Sequence, residues 1–174
     1  VDMKLKELKV KLMEFDEPTI YCDMDGGLAD FRKFTDNLIQ GNFSDENWNK
    51  LPVDTFAQLD PMPDASELWS FISQYEPYIL TAYPKLKRGD ISKQAPEDKR
   101  KWMKQHFGVS PNRVFTVLRQ DKRRFAKDGR DGRPNLLIDD HEGNIVEFKR
   151  AGGIGILHRN ARDTIKQLKA LGYK

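Results

Sequence analysis

The chain is short of several things, and each shortage removes a class of protein. Only one of its 174 residues is cysteine, Cys22. No internal disulfide can form, and the expected compartment is a reducing cytoplasm. Cys22 stands in an apolar run and reads as a small core residue rather than a nucleophile. No run of about 18 apolar residues occurs, so no membrane span is expected. The opening segment, VDMKLKELKVKLMEF, interleaves lysine with leucine and lacks the apolar core of a signal peptide. The three histidines, His106, His141 and His158, share no metal-ligand spacing, which argues against zinc. Internal repeats and low-complexity linkers are also missing. What is there, 38% hydrophobic and 33% charged residues, describes a polar globular chain of single-domain length.

The net charge of +3 is unevenly spread. RQDKRRFAKDGRDGR (119–133) and KLKRGDISKQ (85–94) are both basic. Such runs are commonly a solvated surface, and they also suit one rim that attracts an anionic substrate.

Five short β-type runs stand out: 19–22, 78–81, 113–118, 135–139 and 153–158. Most are nearly all apolar, as central parallel strands covered on both faces require. Helical patterns fit between them. Residues 28–39 place Leu28, Phe31, Phe34, Leu38 and Ile39 on one stripe. A second helix follows an Asp64 cap over 65–75, and a third starts with Pro96 and stops at Gly108. The last two cover 142–151 and 161–171. Trp69, Phe71 and Ile72 fall at helical spacing and read as core. Strands alternating with helices imply right-handed crossovers and an α/β, doubly wound parallel sheet of the Rossmann type. Residues 40–63 break the rhythm, with aromatics and three prolines but no strand. The expected organisation is one domain over 1–174. Its core covers about 18–30 and 76–174, and a small helical cap of about 31–75 is inserted after the first strand.

The stretch TIYCDMDGGLADF (19–31) poses the chemical question. Carboxylates repel one another and are costly to desolvate, yet Asp23, Asp25 and Asp30 crowd the exit of a strand. Ligands of open parallel sheets bind beyond the carboxyl ends of the strands. On that rule Asp23 and Asp25 meet Thr81, Lys122, Asp139 and Asp140 at one rim. Facing carboxylates call for a hard cation, and oxygen ligands favour magnesium. An aspartate beside magnesium stays ionised and can attack phosphorus, and a second one two residues on can serve as acid and then base. Threonine and lysine can hold phosphoryl oxygens. Asp30 reads as a helix-start residue. The calcium-loop pattern lacks its third acid and later glutamate. AGGIGILH (151–158) has the wrong spacing for a dinucleotide loop and precedes a strand instead of following one.

DMDGGLADF, ILTAYP, the lysine of RQDK and LLIDD resemble the four sequence motifs of the haloacid dehalogenase (HAD) superfamily of phosphatases. Within it, the pattern is similar to the 5'(3')-deoxyribonucleotidase group, from Thr19 to about His158. The resemblance implies that Asp23 is the nucleophile, Asp25 the acid/base, Thr81 the phosphate binder and Lys122 the charge-neutralising lysine. It implies Mg2+ on Asp23, the carbonyl of Asp25 and the pair Asp139/Asp140, with the direct ligand of that pair left open. Phe31, Phe43, Trp48, Ala82 and Lys99 are the candidate substrate contacts. Phe31, Phe43, Trp48 and Phe56 equally suit a small satellite core. The chain departs from the group at Gly27, where threonine or valine is usual. It departs again in its longer, more basic stretch between Lys122 and Asp139, which keeps Lys127 and Lys99 as alternatives for the catalytic lysine.

The expectation is a cytoplasmic, magnesium-dependent hydrolase of small nucleoside monophosphates, deoxy by resemblance, acting through an aspartyl-phosphate. One rival is a 3'-phosphatase of polynucleotide ends, whose binding would fall steeply with salt. The other is a non-catalytic ligand-binding module of the same fold, for which an acid/base residue would have no use. The sequence leaves the oligomeric state open.

Overall fold

The computed structural model describes residues 17–129 and 131–174, with Lys4. The rest of the opening lysine–leucine segment lies outside the described residues. Five strands form where the apolar runs predict them: β1 (Ile20–Cys22), β2 (Tyr78–Ala82), β3 (Val114–Val117), β4 (Leu136–Asp139) and β5 (Ile154–Leu157). All neighbours pair in parallel, in the order β3-β2-β1-β4-β5. The chain builds outward from β1 on one side, then returns to build on the other. That reversal opens a crevice at the carboxyl ends of β1 and β4.

Among the described residues, five α-helices accompany the sheet: α1 (Phe31–Ile39), α2 (Ala65–Ile72), α3 (Asp90–Phe107), α4 (Glu142–Arg150) and α5 (Ala161–Ala170). Alternate strand residues point to opposite faces. Ile20, Cys22, Ile79, Ile138 and Ile156 pack with Leu68 and Ile72 of α2, Trp102 and Met103 of α3 and Leu168 of α5. Leu80 and Leu137 pack on the other face with Ile145 and Phe148 of α4. Both faces are covered, which is why the strands are apolar at successive positions.

The helix starts differ from expectation for identifiable reasons. α1 begins at Phe31 rather than Leu28, because the Asp30 carboxylate accepts from Lys33 N at 3.1 Å and caps the helix there. Residues 28–30 form a turn and a bridge instead: Leu28 N and Ala29 N donate to Met24 O, while Asp30 N donates to Asp60 O (2.8 Å) and Met62 N to Leu28 O (2.7 Å), closing the neck of the insertion. On α1, Leu38 is 45% exposed, and the fully buried position is Thr35, whose hydroxyl donates to Phe31 O. α3 starts at Asp90, after Gly89, and carries Pro96 inside it. The proline removes one helical donor, and the buried stripe Ile91, Ala95, Lys99, Trp102 and Met103 holds the helix through it. Asp64 makes no cap bond to α2. Its Oδ2 accepts from Ala161 N at 2.7 Å and ties α2 to the start of α5. After α4, Gly152 turns the chain at φ +98°, where a Cβ would lie 2.1 Å from Lys127 Cε.

The insertion between β1 and β2 contains no strand, as expected. Two 3-10 turns, Asp45–Lys50 and Thr55–Ala57, hold its shape. Phe31 stacks on Phe56 (5.6 Å between centroids, 10° between planes), and Phe43 meets Phe31 and Trp48 edge-on. Trp102 of α3 donates its indole N–H to Leu59 O at 2.8 Å, which fixes the insertion to the core.

Candidate active site

The pairing of β1 with β4 brings the first two acids together. Cys22 lies beside Ile138, so the next residues, Asp23 and Asp139, leave the sheet side by side, and Asp23 N donates to Ile138 O at 2.9 Å. Asp140 follows directly, and one carboxylate oxygen from each of the three lies within 4.8 Å of the others. Asp23 and Asp139 are buried. Lys122, on the 3-10 turn Arg119–Phe125 that follows β3, reaches between them, with Nζ 2.9 Å from Asp23 Oδ1 and 2.8 Å from Asp139 Oδ2.

One lysine does not balance three acids. Burial, reinforced by the charge of Asp139, pushes the Asp23 carboxyl well above the usual carboxylate range, and Lys122 only partly opposes this. Burial and Asp139 raise Asp140 as well. Burial alone would lower Lys122, but Asp23 and Asp139 outweigh it and hold the ammonium in its charged form. The cluster therefore retains unmet negative charge on oxygen donors alone, which fits a hard divalent cation such as magnesium.

Asp25 stands two residues on. Lys99, wholly buried on α3, donates to Asp25 Oδ2 (2.7 Å), Thr81 Oγ1 (2.8 Å) and Ala82 O (2.6 Å), which uses all three ammonium protons. The ammonium also lies 4.4 Å from the centroid of the Phe56 ring. Asp25 Oδ1 is buried with no hydrogen-bond partner. Thr81 is fully buried beneath this arrangement, and the next residue, Ala82, reaches the pocket wall. Lys127 is not at the site; it covers Gly152 at the end of α4.

The loop after β1 explains its glycines unequally. Gly26 has φ +84°, and a Cβ there would fall 2.0 Å from Asp140 Oδ2. Only glycine lets the loop lie against that carboxylate. A Cβ on Gly27 would meet nothing nearer than Asp23 O at 3.4 Å, an ordinary contact.

Above the acids is a pocket of about 600 Å³. Phe31 and Phe43 line it together with Arg32, Thr35 and Met62 from the insertion, whereas Trp48 packs behind the two phenylalanines. The opposite elements contribute Arg119, His141 and Asn144. Asn144 and Arg119 are not among the candidates that the sequence marks. Asn144 Nδ2 donates to Asp139 Oδ2 at 3.0 Å, and its Oδ1 accepts from Arg119 Nη1 at 3.0 Å. His141 caps α4, its Nδ1 accepting from Asn144 N, and its own backbone N–H donates to Asp139 Oδ1 at 2.9 Å. The signal for Asn144 is its position in the first turn of the helix that leaves the acidic strand end.

No family model matches the chain, and no curated protein matches it. Among solved structures it is similar to a hydrolase from Streptococcus pneumoniae TIGR4 (12% identity, 88% of this chain and 99% of that chain, TM-score 0.49). It is also similar to the D,D-heptose 1.7-bisphosphate phosphatase from B. bronchiseptica, solved with magnesium and phosphate (17%, 87% of each chain, TM-score 0.47). A third likeness is to a hydrolase from Pseudomonas syringae (15%, 89% and 99%, TM-score 0.40). The α/β assignment rests on this chain's own strand order and helix placement.

Proposed function

We propose that this chain is a HAD-type, magnesium-dependent phosphomonoesterase that hydrolyses nucleoside monophosphates. The observation that carries the proposal is the meeting of Asp23 and Asp139 around one buried lysine at the switch point, with Asp25 fixed by another. Asp23, Asp139, Asp140 and the Asp25 carbonyl would hold the magnesium, which when bound supplies positive charge to keep Asp23 anionic and to polarise the phosphoryl group.

The chain's own residues divide the reaction. Asp23 forms a bond to phosphorus through a carboxylate oxygen, and the ester P–O bond to the leaving group breaks. Lys122 offsets the charge on the phosphoryl oxygens. Asp25, with one oxygen tied to Lys99 and the other unpartnered, gives a proton to the departing oxygen and then takes one from the water that attacks the aspartyl-phosphate. Phosphate leaves and Asp23 is restored. Thr81 and the Ala82 carbonyl anchor Lys99 at the end of β2. We read the insertion of about 31–75 as the cap, with Phe31 and Phe43 offering a surface for a base.

Phosphate release from a panel of 5'- and 3'-monophosphates, with magnesium, tests this directly. The Asp23→Asn variant should lose at least about a thousandfold in rate. Equal release by the two proteins removes the nucleophile.

A further inference from the structure

Asp23, Asp139 and Lys122 lie at the floor of the pocket, where Asp139 is 1% exposed, while Asp30 and Asp140, which also line it, are more exposed. From Asp139 a chain of contacts leads outward through Asn144, 5% exposed, to Arg119, whose side chain is 47% exposed. The guanidinium is held on two sides: Nη1 donates to Asn144 Oδ1, and Nη2 lies 3.6 Å from Glu147 Oε1. A guanidinium has five N–H donors, so most of this one's remain for a ligand. Arg32, also on the pocket wall, is 81% exposed and only loosely paired with Asp36 at 3.7 Å. Of the two mouth cations, Arg119 is the one with a fixed position.

A phosphoryl group at the floor is already met by Lys122. A second, positioned cation one side chain further out matches an anion the reaction does not consume. We propose that Arg119 is a specificity-determining residue that binds a second phosphate group of the substrate. That group is either another phosphomonoester on the same nucleotide or the adjoining phosphodiester of an oligonucleotide. The proposal rests on the phosphatase reading above and replaces its monophosphate with a nucleotide that carries a second phosphate group. Planar, two-pronged pairing with phosphate is what arginine supplies and lysine does not.

The test is equilibrium binding by calorimetry, with magnesium, to the Asp23→Asn chain, which stops turnover. A nucleoside 3',5'-bisphosphate should bind about tenfold tighter than the 5'-monophosphate of the same nucleoside. Adding Arg119→Gln should bring that ratio to within about threefold, and Arg119→Lys should restore it only in part. Glu147→Gln, which removes the carboxylate competing for the guanidinium, should raise the ratio a few-fold. Melting curves confirm that each variant is folded.

A tetranucleotide bearing a terminal phosphate forms the second arm. Tighter binding than the bisphosphate, with a steep loss in salt, identifies the phosphodiester as the source. The reverse ranking identifies the small bisphosphate. Equal binding of mono- and bisphosphate, or an equal loss of both in Arg119→Gln, overturns the proposal. Phosphate release by the wild type from the monophosphate is scored separately. If it fails while the binding ratio holds, the catalytic reading falls and the second subsite stands.

Discussion

Lys122 and Lys99 are both buried ammonium groups close to the end of β1, and their surroundings differ in kind. Lys122 lies between two carboxylates with a third close by. Lys99 faces one carboxylate, a hydroxyl, a carbonyl and an aromatic ring. The first neighbourhood sets three carboxylates against one ammonium, a charge balance that suits a further cation. The second is balanced charge for charge, with every ammonium proton placed. One side of the site is built for electrostatics and the other for aim.

That contrast can be broken most forcefully at Lys122. Lys122→Met leaves Asp23 and Asp139 facing each other in a buried site. Denaturant unfolding in magnesium-free buffer should show a loss of about 3–5 kcal/mol. Magnesium should return more stability to this variant than to the wild type. Turnover should fall on the order of 10²–10³-fold. A variant as stable as the wild type without metal would show that the cluster is not under electrostatic stress.

Lys99→Met should cost less, about ten- to a hundredfold in kcat on nucleotides, whose leaving oxygen needs a proton. The loss should shrink on p-nitrophenyl phosphate, whose leaving group departs without one. An equal loss on both substrates would move Lys99 from aiming the acid to holding the phosphate.

The adjacent glycines sharpen the same contrast on a smaller scale. Gly26→Ala forces a methyl into the Asp140 carboxylate, and half-maximal activity should need about tenfold more magnesium. Gly27→Ala meets only an ordinary contact, so stability should stay within about 0.5 kcal/mol of the wild type in a thermal melt. A Gly27 effect as large as that at Gly26 would contradict the geometry of the loop.

The strands were legible because a sheet covered on both faces demands consecutive apolar residues, and β2 and β4 show that demand plainly. Helix starts were less so. Pro96 looks like a first-turn proline in sequence, and only the buried stripe from Ile91 to Met103 shows that the helix already surrounds it. Asp64 has the residue type of a cap, but its partner, Ala161 N, is distant in sequence and close only through packing. At the site, the strand-end rule brings Asp23, Asp139, Asp140 and Lys122 to one rim, and the fold places their side chains together. Neither Asn144 nor Arg119 marks chemistry by its residue type alone. Their meaning comes from the contacts that link them to Asp139. Lys99 is one of three candidate lysines, and nothing in its local sequence says that it points at Asp25.

Phe56 carries a structural consequence. Its ring stacks on Phe31 at the pocket wall and also touches the ammonium that grips Asp25. Phe31, Phe56, Lys99 and Asp25 thus form one continuous row of contacts. In the proposed reaction, this row would join the surface offered to the guest to the carboxyl proposed to protonate its departing half.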